Sequence, residues 1–263
     1  METIGATISV CYNTFVNDVG LLTGASDISN TKLTFCGNQD LNAGVPFGSN
    51  AISGGQQFWN PTPLLPSTVY VTNNYFQLYD TASAVSLEDA TSWVLGTPET
   101  LNAVITGNVF QNNYAGAPPC CAYPSSYYSV IWSIALKSVA ISGNKILAGG
   151  SLGIYVRGSI GTVSGNIITG ANTGLWLDDA SGLHVVGNVI GNSAEFGIAL
   201  TSVDACGCPS PTPSSNNYFI GNIVHGTAST GYDLYWDHAT GSINNHWCGN
   251  VYKTSSPSVL PSC

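Results

Sequence analysis

Charge is scarce in this chain, with 5 Lys or Arg and 14 Asp or Glu among 263 residues. Seven of those charges nonetheless fall directly after short stretches that alternate apolar, variable, apolar. Val85-Ser86-Leu87 precedes Glu88 and Asp89, Ile134-Ala135-Leu136 precedes Lys137, and Ile154-Tyr155-Val156 precedes Arg157. Leu175-Trp176-Leu177 precedes Asp178 and Asp179, Ile198-Ala199-Leu200 precedes Thr201, and Leu234-Tyr235-Trp236 precedes Asp237 and His238. If these stretches stack, Glu88, Lys137, Arg157, Asp178, Thr201 and Asp237 form one column. Tyr155, Trp176 and Tyr235 then face outward beside it. Aromatic rings next to carboxylates and cations suit a sugar chain. Paired carboxylates some 5–10 Å apart hydrolyse glycosidic bonds, and Asp178 and Asp237, two layers apart, stand at about 10 Å by strand spacing. A Lys or Arg instead serves as base or charge stabiliser when a uronic acid is cleaved by β-elimination. The catalytic candidates are therefore Lys137, Arg157, Asp178, Asp237 and His238, with Glu88, Tyr155, Trp176, Asp179 and Tyr235 as substrate contacts. The plainer alternative is a solvated salt-bridge ladder, since turns collect charged residues and exposed ion pairs contribute little.

Such a column needs elements that repeat. Stretches ending in Asn and an apolar pair recur along the chain: "AVITGNVF" (Asn108), "VAISGNKI" (Asn144), "TVSGNII" (Asn166), "HVVGNVI" (Asn188), "YFIGNIV" (Asn222) and "HWCGNVY" (Asn250). Earlier copies centre on Asn13, Asn38 and Asn74, with Asn38 fitting least well because Gln39 and Asp40 follow it. A second element, "GIYV", "GLWL" and "GIAL", falls between the Asn stretches. Alternation over three to six residues marks short strands. A period of about 22 residues with no helical pattern marks one turn of a solenoid whose core closes only on stacking. The Asn amide bonds the Asn above and below, and Asn tolerates a left-handed corner. The prediction is an all-β, single-domain parallel β-helix over 1–263, of about nine rungs with long loops, its tail 253–263 capping or running along the last rung. Loops leave the coil at 111–128 and 201–217, both rich in Pro, Ser and Cys.

The repeated x-G-N-x-I and G-I-x-L stretches resemble those of the right-handed parallel β-helix group, the pectin-lyase-like superfamily. That resemblance covers most of residues 4–252 and implies the fold. The group includes polysaccharide lyases, polygalacturonases, epimerases, phage tailspikes and surface proteins without activity. "YWDHAT" (235–240) partly resembles the W-I-D-H stretch of pectate lyases, whose aspartate binds Ca²⁺, and makes Asp237 a candidate Ca²⁺ ligand. The arginine motif that accompanies it there is missing, since Arg157 is the only arginine. Asp178-Asp179 could match the polygalacturonase D-D pair, but the G-H-G and R-I-K stretches of that family are absent.

Composition narrows the setting. Hydrophobic residues make up 44% and charged residues 7%, yet no apolar run reaches the 18 residues of a spanning helix. A net charge of −9 disfavours nucleic acid and anionic membrane surfaces. The eight cysteines contain no C-x2-C pair, which favours disulfides over zinc and an oxidising, extracellular compartment. Cys11 and Cys36 each stand two residues before a repeated Asn, so adjacent rungs bring them within disulfide reach. Cys248 holds the same column position near the other end and takes Cys263 as its partner. Cys120, Cys121, Cys206 and Cys208 stay unassigned. Met1 runs almost directly into β-like sequence, as in a mature secreted chain given a starting Met. Two functions fit: a secreted carbohydrate-active lyase or hydrolase acting on an acidic polysaccharide, or a non-enzymatic surface or fibre protein that associates through its solenoid ends.

Overall fold

The computed structural model describes residues 3–16, 28–43, 52–56, 65–78, 84–89, 99–112, 129–149, 152–203, 212–238 and 241–263. Strands form where side chains alternate: Ser67–Thr72 and Leu101–Thr106 each repeat buried and half-buried residues with period two. Such a strand hides one face only, and its neighbours in space hide the rest. The described strands assemble into three long sheets of nine, eight and eight strands, plus one two-stranded pair, and every pairing is parallel. Each strand pairs with the equivalent strand one coil later. Val163, for example, lies between Ile141 and Val185 in the first sheet. No helix occurs among the described residues.

The turn from the first sheet to the second is two residues long in every coil, from Tyr12-Asn13 to Gly187-Asn188 and Gly221-Asn222. Its Asn residues build one internal ladder. Asn144 donates from its backbone N and its Nδ2 to Asn166 Oδ1, at 3.0 and 2.9 Å, and from Nδ2 to Ile105 O at 2.9 Å. The same triplet recurs from Asn38 to Asn222, with Asn13 opening the ladder and Asn250 closing it as the last acceptor. The ladder therefore satisfies a side-chain amide, a corner N–H and a strand-end carbonyl in each coil, groups costly to bury unpaired. The left-handed backbone falls not on these Asn residues, as expected from Asn's tolerance, but on the residue before. Gly165 has φ +61° and Gly187 +63°. Hence the pair is Gly-Asn: the first turns the chain and the second bonds.

A second glycine column has a different cause. In the third sheet, Gly153, Gly174 and Gly197 face the second sheet so closely that a Cβ on Gly174 would strike Ile190 Cγ2 and Gly197 O. The "GIYV", "GLWL" and "GIAL" glycines are there because two sheets converge. The interior is a continuous apolar cluster, with Phe35, Phe76 and Phe110 stacked at centroid distances of 6.0 and 5.0 Å. Asp40 points inward between Phe15 and Phe76, which accounts for the poor fit of the Asn38 stretch.

Cys11 and Cys36 are register partners joined by a disulfide, with Cα atoms 4.6 Å apart. A second disulfide joins Cys248 to Cys263, Cα to Cα 5.5 Å. The tail folds back over the final coil. Ser255–Ser256 adds the last strand of the third sheet, Trp247 N donates to Pro261 O at 2.8 Å, and Leu260 is buried in the core. Asp233 Oδ2 accepts from Lys253 N and Thr254 N. The C-terminal end of the coil is thus covered by its own chain. The expected loops 111–128 and 201–217 are strand or turn at 111–112, 201–203 and 212–217. Their centres, with Cys120, Cys121, Cys206 and Cys208, lie outside the described residues.

Candidate functional site

The charged column exists, with one member replaced. Register places Glu88, Ile134, Arg157, Asp178 and Thr201 in line, and Asp237 comes directly after Trp236, the partner of Leu200. Lys137 is not in the column. It lies three residues further on, exposed, with its N–H bonded to Leu101 O where the first sheet begins. The slip has a physical origin. The inward pair of that rung is Ile131 and Ser133, with Trp132 outward, so a serine occupies a core position. Aligning on apolar pairs passed over Ser133 and landed on Ile134 and Leu136.

At the centre of the column Arg157 Nε stands 3.4 Å from Asp178 Oδ2, with Asp178 wholly buried and the Arg157 side chain 26% exposed. Asp179, next along, has a left-handed backbone with φ +50° and is half-buried. Burial pushes its carboxyl up to about 6, against the opposing pull of Arg157. Two adjacent carboxyls therefore have opposed surroundings: one is neutralised by a guanidinium, the other is poised to hold a proton in mild acid.

Other carboxylates in the line serve the backbone. Asp89 Oδ2 accepts from Thr100 N and Leu101 N at 2.7 and 3.1 Å. Asp237 Oδ2 accepts from Ser202 N and Ser202 Oγ, both at 2.6 Å. Among the described residues no three His, Cys, Asp or Glu side chains are grouped to hold a metal. His238 is exposed, with φ +54°, and its ring stacks on Trp236 at 3.8 Å.

The outward aromatics are not exposed as expected. Tyr155 is fully buried and Trp176 is 9% exposed. The strand phase still holds, because Leu175 and Leu177 belong to the interior cluster while Trp176 belongs to a separate outer one with Trp132, Tyr155 and Ala199. Trp132 stacks on Tyr155 at 4.2 Å, and Trp176 Nε1 donates to Val203 O at 3.3 Å. An outward side chain is buried here because the outer face of the third sheet carries its own apolar layer.

On the outer face of the third sheet, the described aromatics that reach solvent lie toward the C-terminal coils. Phe196 and Tyr235 are half-buried and stacked at 4.4 Å, and Tyr232 is exposed, 6.3 Å from Tyr235. Burial raises the Tyr235 hydroxyl, and the charges of Asp237 and Glu195 raise it further. Burial also raises the Glu195 carboxyl. Glu195, Phe196 and Tyr232 escaped the sequence reading, which aligned only the residues at the C-terminal end of each strand. The signal was available where strands begin, since Phe196 and Tyr232 are register partners.

The profile of the family described as "Right handed beta helix region" matches residues 66–254. Two solved structures are similar. Tailspike protein 3 of bacteriophage CBA120 is 13% identical, with 95% of this chain and 47% of that chain covered and a TM-score of 0.44. The Dettilon tailspike protein is 14% identical, with 99% and 60% covered and a TM-score of 0.31. The chain spans about half the length of the first of them. No curated protein sequence matches.

Proposed function

We propose, on the premise that this chain belongs to the right-handed β-helix family, that it is an extracellular protein that binds a polysaccharide along the outer edge of its third sheet and hydrolyses it at Asp179. The observation that carries the reading is the contrast between Asp178, paired with Arg157, and Asp179, raised to about 6. A carboxyl of that kind, protonated in mild acid, delivers its proton to the glycosidic oxygen as the bond to the anomeric carbon breaks. Water then adds to that carbon and gives its proton to Asp237, which stands about 10 Å away by two strand spacings. Phe196, Tyr232 and Tyr235 supply apolar ring surface for the sugar. Hydrolysis is favoured over β-elimination because Arg157 is engaged with Asp178 and Lys137 lies off the column. The same shortage of free cations along an acidic edge favours a neutral glycan over the acidic one expected from sequence. The two disulfides suit an oxidising compartment.

One observation favours a second reading, a binding coil without catalysis: Asp89, Asp233 and Asp237 each give an oxygen to backbone N–H groups. A panel of neutral and uronate polysaccharides, assayed for new reducing ends and for binding by affinity electrophoresis, separates the two. Hydrolysis predicts cleavage that Asp179→Asn abolishes while binding persists. Binding that Tyr235→Ala removes, with no cleavage by the parent at any pH, supports the second reading. No retardation by any polysaccharide overturns both.

A further inference from the structure

The outer apolar layer of the third sheet comes to the surface at one end. Trp176 meets Phe196 edge-on at 6.1 Å, Phe196 stacks on Tyr235 at 4.4 Å, and Tyr232 lies 6.3 Å from Tyr235. A carboxylate stands at each end of this aromatic strip. Glu195 immediately precedes Phe196 and is exposed, and Asp237 follows Trp236. Register sets Glu195 opposite Gly231, because Phe196 pairs with Tyr232. Gly231 lays no side chain over Glu195, and a Cβ there would strike Glu195 O. From Gly231 to Asp237 the strand covers about 20 Å, room for a short oligosaccharide.

The cations of the chain are engaged elsewhere. All 5 Lys and Arg residues lie among the described ones. Lys32 lies over the Tyr70 ring, Arg157 faces Asp178, Lys137 stands where the first sheet begins, Lys145 opens a strand of the second sheet, and Lys253 follows the last Asn corner. None of them is among the groups that shift Glu195 or Tyr235. Burial raises the Glu195 carboxyl, and burial together with the charges of Asp237 and Glu195 raises the Tyr235 hydroxyl. The first shift marks a carboxylate short of compensation, and the second marks a negative field at the hydroxyl. A bound cation relieves both, and aromatic faces attract it as well. A neutral sugar hydroxyl relieves neither.

We infer that the glycan taken by this face is an amino-sugar polymer, with a free amino group held as its ammonium between the Glu195 carboxylate and the Tyr235 hydroxyl while the sugar rings lie on the aromatic strip. The inference rests on the reading of this face as a glycan site and carries its charge argument one step further: the pattern that disfavours a uronate favours an ammonium. Asp237, bonded to Ser202, contributes its field. The N-acetylated form of the same sugar carries no charge and offers Glu195 only a hydrogen bond.

Isothermal titration in weakly acidic, low-salt buffer tests this, with short oligomers of β-1,4-linked glucosamine and of N-acetylglucosamine as probes. The full, oxidised Asp179→Asn chain serves as the reference, so that binding is read without cleavage. It binds the glucosamine oligomer at least about tenfold more tightly than the acetylated one. Adding Glu195→Gln, an exposed change whose fold is checked by circular dichroism, removes most of that preference. Adding Tyr235→Phe instead, which keeps the ring and drops the hydroxyl, narrows it. Equal or tighter binding of the acetylated oligomer by the reference chain overturns the inference, as does a preference that either substitution leaves unchanged. Retardation by neutral polysaccharides alone in affinity electrophoresis, with no binding of the glucosamine oligomer, overturns this inference and leaves the glycan site standing. No binding of any glycan overturns both.

Discussion

Arg157 and Asp178 are register partners in adjacent strands, with Nε 3.4 Å from Oδ2 and the carboxylate wholly enclosed. An exposed turn carboxylate would be neutral to stability when changed. This one is not exposed. Asp178→Asn removes the enclosed carboxylate that faces the half-buried guanidinium, and urea unfolding should show a loss of about 1–3 kcal/mol. An unchanged midpoint would show the pair to be incidental.

Asp179 makes stability depend on pH. Its carboxyl is raised from 3.8 to about 6, so the folded chain holds the proton more tightly than the unfolded one. The stabilisation from that proton is fully present below 3.8 and lost as the pH climbs through about 6. Glu195 acts in the same direction. Asp233 opposes them: burial raises it, but hydrogen bonds from Thr227, Lys253 and Thr254 outweigh burial, so its contribution is lost on acidification. The Tm difference between Asp179→Asn and the parent should change between pH 4 and 6 and stay flat above that range. A difference constant across the whole range refutes the shift.

The Asn ladder should be the most sensitive element of the coil. Asn166→Ala removes one side-chain bond to Asn188 and one to Ile141, and it strips the acceptor from both the backbone N and the Nδ2 of Asn144. Each buried group left unpaired costs about 1–3 kcal/mol, so a loss above about 3 kcal/mol is expected in denaturant titration. Asn13→Ala, at the exposed start of the ladder, should cost much less. Equal losses at the two sites would mean that the ladder is not what closes the corners.

Gly174→Ala places a methyl against Ile190 and the backbone of Gly197. Overpacking of this kind costs about 1–3 kcal/mol. Ile190→Ala should cost less in the Gly174→Ala background than in the parent, because it removes the Cγ2 that the new methyl strikes. Additive losses in the double variant would contradict the close approach of the sheets.

Cys263→Ser frees the tail. The disulfide closes a loop over a separation of 15 residues, which corresponds to about 3 kcal/mol of stabilisation. Proteolysis should then reach the segment from Lys253 onward before the rest of the coil. Resistance equal to the parent's would show that Leu260 and the backbone bonds of the tail suffice alone.

The coil was legible because its cause is local and repeated. Gly-Asn at each corner and alternation on either side need no knowledge of distant residues. The site was less so. Ser133 at an inward position broke the apolar pattern that fixes register, and Lys137 was drawn into a column where Ile134 stands. The burial of Tyr155 and Trp176 depends on a second apolar layer contributed by residues far along the chain, such as Val203 against Trp176. Alternation reports which face a side chain takes, not whether that face is wet. The raised Asp179 was hidden for the same reason, since its cause is burial.

The ladder also has a direction. The bonds between Asn residues run one way: each side-chain amide from Asn13 to Asn222 donates to the Asn of the next coil, and each from Asn38 to Asn250 accepts from the one before. Their dipoles therefore align head to tail along the axis, and each bond polarises the next by about 10–30%. An amide in the middle is strengthened from both sides, whereas those at the two ends are strengthened from one. Unwinding should consequently begin at the termini and travel inward, so that the central coils are the last to exchange their amide hydrogens with solvent.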